Sequence, residues 1–301
     1  IYNLRTEKYT HLRSSEYDPY SLSDNAIYSF CKDREDGIWI GSYFGGVNYY
    51  PRSYTYFEKY YPKGIENSLH GKRVREFCRD SQGILWIGTE DGGLNRFNLK
   101  TKDFSFFAPS AGFTNIHGLC LVDDKLWVGT FSKGLKVIDT RSGVVLKTYQ
   151  KNDSPRSLID NSIFAICKTA TGDIYLGTMF GLVRYNKQSD DFDRIPELNG
   201  KFIYDIKEDS AGNIWLATYA NGVYCYNVND RKWKNYVHDD KDNTSLPYNK
   251  VSSVFEDSHR QIWLTTQGGG FCIFHPESET FTSYNSTNGL PSDVVYQIVE
   301  D

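Results

Sequence analysis

An aromatic anchor returns six times along this chain, at Trp39, Trp86, Trp127, Tyr175, Trp215 and Trp263, with separations of 47, 41, 48, 40 and 48 residues. Around it runs one phrase, roughly D-x-x-G-x-[IL]-W-[IVL]-G-T-x-x-G-G-[LVF], clearest at Asp80–Leu94. Ala217 and Thr265 replace the glycine after the aromatic residue in the fifth and sixth copies, and Thr169 replaces the aspartate in the fourth. A period of about 40–45 residues marks a chain assembled from equivalent supersecondary units, none of which buries its apolar faces alone.

Each copy carries four short strand signals. In the second copy they are Val74–Arg79, Ile84–Thr89, Gly93–Asn98 and Phe104–Ala108. The first strands hold one apolar set at Ile27, Val74, Ile116, Ile163, Ile203, Val251 and Val295. A second set lies three residues on, at Phe30, Phe77, Leu119, Ile166, Ile206, Val254 and Ile298. Asp-x-x-Gly turns join first strand to second, and Gly-Gly pairs open the third. No segment sustains a 3.6-residue apolar period. Aromatic residues make up 16% of the chain, led by 23 Tyr, and there is one Met, a mixture that favours strands. Four strands per repeat predict an all-β fold, a β-propeller of four-stranded antiparallel blades, with each Trp wedged against the next blade. The expected domain is one propeller over 1–301, with six complete blade cores and a split, incomplete seventh. The opening "IYNLRTEKYTHLR" reads as two outer strands of that seventh blade, and "LPSDVVYQIVED" as its first strand. The chain is therefore expected to be an excised piece of a longer protein.

Charge and cysteine usage narrow the function. The net charge of −4 attracts neither nucleic acid nor an anionic membrane. No run of 18 apolar residues is present, so no membrane segment is expected. Cys31, Cys78, Cys120 and Cys167 occupy one repeat position, and Cys225 and Cys272 another. Equivalent sites in successive blades lie too far apart for disulfides, so these read as buried fillers. No CxxC, HxxxH, HExxH, GxSxG or Walker pattern occurs, so no catalytic residue, metal or cofactor is assigned. Adjacent carboxylates such as Asp239–Asp240 lie in turns, which suits them poorly to flank a scissile bond. His117, in "TNIHGLC", is the one histidine placed where it would line a central channel.

"DSQGILWIGTEDGGLNRFN" and "NSLHGKRVREFCRDSQG" resemble the two-component-regulator propeller repeats of Bacteroides-type hybrid two-component sensors, and the resemblance spans almost the whole chain. It implies a periplasmic location, an adjacent propeller and β-sandwich in the same full-length protein, a homodimer of that protein, and a kinase outside this chain. It also implies an oligosaccharide ligand and control of polysaccharide-utilisation genes.

In a propeller the loops after the second strand converge on one rim. The variable residues there are Tyr43, Phe44, Glu90, Asp91, Phe131, Ser132, Met179, Phe180, Tyr219, Asn221 and Gln267. Rings for apolar sugar faces, with amides and carboxylates for hydroxyls, make Tyr43, Phe44, Glu90, Asp91, Phe131, Phe180, Tyr219, Asn221 and Gln267 the candidate ligand-binding set. Long inter-blade loops share a Ser-Leu pair, with Leu22, Leu69, Leu158 and Leu246 expected to plug each loop onto its blade. Two other functions suit the pattern. One is a propeller lyase resembling streptogramin lyases, which needs a His/Glu set and a divalent metal. The other is a structural propeller with no ligand of its own.

Overall fold

The computed structural model describes residues 1–18, 20–51, 58–107 and 112–300. It contains 25 strands and no α-helix among those residues, and divides into two compact units, Ile1–His70 and Gly71–Asp301.

The second unit holds five four-stranded antiparallel sheets, one per repeat, each in simple chain order. Their first strands are Val74–Arg79, Ile116–Val122, Ile163–Lys168, Ile203–Glu208 and Val251–Glu256. The first unit holds a three-stranded sheet, Ile27–Lys32, Ile38–Ser42 and Val47–Tyr50, and a ribbon of Tyr2–Asn3 with Lys8–Tyr9. The fourth strand expected of this first blade core lies outside the described residues.

Packing between blades supplies the core of the second unit. Trp86 and Leu94 meet Phe113, Ile116, Leu126 and Ile138 of the following blade. Trp127 does the same against Ile163 and Leu176, and Trp215 against Val251 and Leu264. Trp86 is fully buried, while Trp39 keeps 45% of its surface exposed. Among the described residues the first unit contains one blade sheet, with no second blade within that unit for Trp39 to wedge against, and Trp39 leans on Tyr49 at 4.7 Å. The filler reading of the cysteines holds for Cys225 and Cys272, and Cys78, Cys120 and Cys167 are half-buried, but Cys31 is exposed. All six are free thiols.

The repeated aspartate does more than close a turn. Asp80 Oδ1 accepts the N–H groups of Gln82 and Ile84, and Oδ2 accepts the Trp86 indole N–H at 2.9 Å. Asp33, Asp209 and Asp257 treat Trp39, Trp215 and Trp263 the same way. In the fourth blade Thr169 stands for the aspartate and Tyr175 for the Trp, so acceptor and indole donor disappear together. Gly83 and Gly212 take φ of +83° and +85° in this turn, a conformation that Arg260 adopts at +65° in the sixth blade.

The glycine after the aromatic anchor is set by its neighbour. A Cβ on Gly88, Gly129 or Gly177 would lie 2.6 to 2.7 Å from the Cγ2 of Ile116, Ile163 or Ile203 on the next blade. Where Ala217 replaces glycine, the facing residue is Val251, in the same core cluster. Where Thr265 replaces it, the matched residue is Val295. At Ala217 the methyl gained on one blade accompanies a methyl lost on the next.

The inter-blade loops follow expectation: Leu69, Leu158 and Leu246 are buried, while Leu22 is half-buried. Asn161 and Asn249 each accept a backbone N–H across their loop, from Lys151 and His238. The C-terminal segment forms no ladder strand, in contrast to expectation, and makes one bridge, Gln267 with Val294. It nevertheless sits on the sixth blade as a first strand would. Gly270 N–H reaches Asp293 O as Gly222 N–H reaches Asn249 O. Ser258 binds Glu300 as Ser210 binds Glu256.

Candidate functional site

Every described first strand of the six blades breaks register at one place. The pairing skips Tyr28, Arg75, His117, Phe164, Tyr204 and Ser252 in turn. Each is a β-bulge directly after the first apolar residue of the strand. A bulge leaves one residue outside the ladder and re-aims its side chain, and such devices collect beside binding sites. The position before each bulge is uniformly apolar, whereas the bulged residues are aromatic, cationic, imidazole or hydroxyl.

Within the second unit these strands converge on a cavity of about 350 Å³. Arg75, Phe164, Tyr204 and Ser252 line it from the bulges, and Glu76, Asp205 and Ser253 from the next position. Tyr296 of the C-terminal segment completes the wall. The Arg75 guanidinium lies over the Tyr204 ring at 4.9 Å and reaches Glu90 at 3.4 Å. Asp205 accepts the N–H groups of Ile206 at 2.8 Å and Val254 at 3.0 Å, and its burial raises its pKa. Burial, reinforced by Asp205 and opposed by Arg75, pushes the Glu76 carboxyl up to about 8.

His117 packs edge-on against Phe164 at 4.6 Å, and its Nε2 meets Asn115 Oδ1 at 2.7 Å. Since the amide oxygen only accepts, Nε2 carries the proton and Nδ1 keeps its lone pair. Burial and Arg75 push this histidine down to about 3, so it is neutral in the folded protein. Its Nδ1, like Arg75 Nε and Ser252 Oγ, is buried without a hydrogen-bond partner. Among the described residues no three His, Cys, Asp or Glu side chains gather into a metal-binding group.

A belt of rings leads from the rim to this cavity. Phe131 meets Phe164 at 6.0 Å, Phe164 meets Phe202 at 4.4 Å, and Phe202 stacks on Tyr219 at 5.2 Å. Lys250 caps Tyr219 with its ammonium 4.1 Å from the ring centre. Three rim candidates of the second unit, Glu90, Phe131 and Tyr219, are thereby brought together. The others stand elsewhere. Asp91 is tied to its own loop by the N–H groups of Lys72 and Arg73. Asn221 gives its N–H to Thr218, Gln267 pairs with Val294, and Phe180 is an exposed ring. Tyr43 and Phe44 form a separate stack with Tyr28 in the first unit.

Sequence reasoning named His117 and overlooked Arg75, Phe164, Tyr204 and Ser252. The signal was present, as one chemically diverse column between two apolar columns. What was missing was the bulge, which turns that column toward the cavity.

A family model described as two component regulator propeller matches residues 21–44, 68–91 and 197–220, three of the six anchor segments. Those three segments are similar to two-component regulator propeller repeats. The chain is 28% identical over 180 residues to histidine kinase P4 of Formosa agariphila, covering 57% of this chain and 13% of that protein. The fold is that of the extracellular domain of a putative hybrid two component system from B. thetaiotaomicron (TM-score 0.62, 21% identity, 90% of this chain and 35% of that one). A second such domain from the same organism aligns at 0.54 and 24% identity, covering 96% of this chain and 44% of that one. Virginiamycin B lyase from Staphylococcus aureus shares the propeller at 0.57 and 14% identity, over 73% of this chain and 72% of that one. The chain thus spans well under half of the two-component relatives it matches. No helix among the described residues is long and apolar enough to cross a membrane.

Proposed function

We propose that this chain is the ligand-sensing propeller of an extracytoplasmic two-component signalling protein, non-enzymatic in itself, and that its ligand is an oligosaccharide released from a complex glycan. Residues 1–301 form one propeller domain in this reading. A neighbouring propeller and β-sandwich, and a kinase that regulates polysaccharide-utilisation genes, lie elsewhere in a periplasm-facing, homodimeric protein. Ligand binding shifts a packing equilibrium, which the kinase reads.

One observation carries the ligand-binding part. On a constant scaffold, the bulged column varies in chemistry and faces a cavity whose approach is lined with rings. Scaffold positions repeat because packing repeats, while the bulged column follows no packing rule shared between blades. The relatedness to hybrid two-component proteins supports the signalling part.

A thermal-shift screen against plant, host and microbial oligosaccharides, with and without EDTA, tests the reading. A ligand at 100 times its Kd adds about 2.7 kcal/mol, a shift of several degrees for a chain of this size. A response from one sugar class, unchanged by EDTA, is the expected result. Silence across the panel from folded protein refutes binding by this chain and leaves it a structural module.

A further inference from the structure

The cavity wall carries polar groups without partners. The Glu76 side chain makes no hydrogen bond or ion pair among the described residues, and Glu76 borders the cavity. Asp205 beside it has two backbone donors and further acceptor capacity. Arg75, the one cationic side chain in the wall, turns one edge toward Glu90 and its face toward Tyr204, and its Nε is unpaired. A third polar group points the same way. Ser252 is 3% exposed, sits on a bulge in the wall, and its Oγ has no partner. Protein interiors rarely leave such a hydroxyl unpaired. The wall also carries Tyr296, which is largely exposed.

The Glu76 carboxyl, the remaining acceptor capacity of Asp205 and the free Ser252 hydroxyl call for a ligand whose groups can both donate and accept. Sugar hydroxyls and ammonium groups donate. Carboxylates and sulfates only accept, so they leave the acceptors of Asp205 and Ser252 without a donor and bring a negative charge into a wall that already carries two carboxyl groups. A volume near 350 Å³ lies at the small end of ligand pockets and suits a single ring better than a chain.

Resting on the oligosaccharide reading above, we propose that the central cavity of the second unit is a subsite for one non-acidic sugar ring, which gives its hydroxyls or amine to Glu76, Asp205 and Ser252 and lays its apolar face against Tyr296. The rim rings then hold the rest of the oligosaccharide, and the cavity discriminates at its end.

Titration calorimetry on the whole protein decides it, with three probe sets: neutral gluco-, galacto- and xylo-oligosaccharides, glucosamine oligomers with free amines, and galacturonate oligomers. The expected result is binding from the neutral or amine sets and at least tenfold weaker binding from the acidic set. With the responding sugar, Ser252→Ala should weaken binding about fivefold and Tyr296→Ala about tenfold. Glu76→Leu should weaken it more than tenfold and Glu76→Gln only a few-fold, the glutamine keeping one acceptor. Circular dichroism identifies any variant that fails to fold, and Ser252→Ala and Glu76→Gln keep the test open in that event. Tight binding of the galacturonate set overturns the proposal and leaves the oligosaccharide reading standing. So does a neutral sugar whose affinity ignores all four substitutions, since it then sits on the rim alone. Binding by none of the three sets overturns both.

Discussion

Replacing Asp80 by Ala isolates a contact that recurs in four of the six blades. Asp80 is buried, and its carboxylate holds two backbone N–H groups of its turn and the indole N–H of the fully buried Trp86. The two turn donors lie near the surface and regain water, so their loss is modest, about 0.5–1 kcal/mol each. The indole donor has no such recourse. Left unsatisfied in a sealed core, it costs about 1–3 kcal/mol. Asp80→Ala should therefore lower unfolding stability by about 2–5 kcal/mol, measured by urea denaturation with its m-value. The mechanism is tested by the pair. Trp86→Phe removes the donor, so Asp80→Ala should cost about 1–3 kcal/mol less in that background, a coupling well above the error of a cycle. The fourth blade provides the natural precedent, with Thr169 and Tyr175 exchanged together. A loss below 1 kcal/mol for Asp80→Ala, or a coupling within about 0.3 kcal/mol of zero, would refute the staple and reduce the aspartate to a turn former.

Other expectations follow from the same contacts. Gly177→Ala should cost about 1–3 kcal/mol by overpacking Ile203, and Ile203→Val, itself a loss of about 0.5–1.5 kcal/mol, should recover most of it in the double variant. Glu76 titrates near 8 in the folded protein against 4.5 when unfolded. Its contribution is therefore fully present below pH 4.5 and lost as the pH rises through about 8, with a slope of at most about 1.4 kcal/mol per pH unit. Asp205 acts in the same direction, and Glu76→Gln should flatten the profile between pH 5 and 8 in denaturation series. The exposed Cys31 should react with a thiol reagent at least a hundredfold faster than Cys225, whose burial pushes its pKa up to about 12. Equal rates in the native protein would contradict the packing of the fifth blade.

The amino-acid sequence by itself determined the repeat, the strand count of each unit, the Trp wedges and the plugging leucines. These are local or periodic, since each residue's environment recurs in every copy and periodicity reports it directly. Tertiary structure decided the rest. Trp39 carries the same motif as Trp86, yet half-exposure or full burial depends on which blade stands beside it within its unit. Phe131 and Tyr219 were linked by ring contacts through Phe164 and Phe202, and Glu90 joined them through Arg75, while Asp91 was claimed by its own loop. Arg75, Phe164, Tyr204 and Ser252 became cavity residues through a one-residue bulge. A bulge reverses which face a side chain takes while leaving composition and spacing unchanged, so the column was legible and its direction was not.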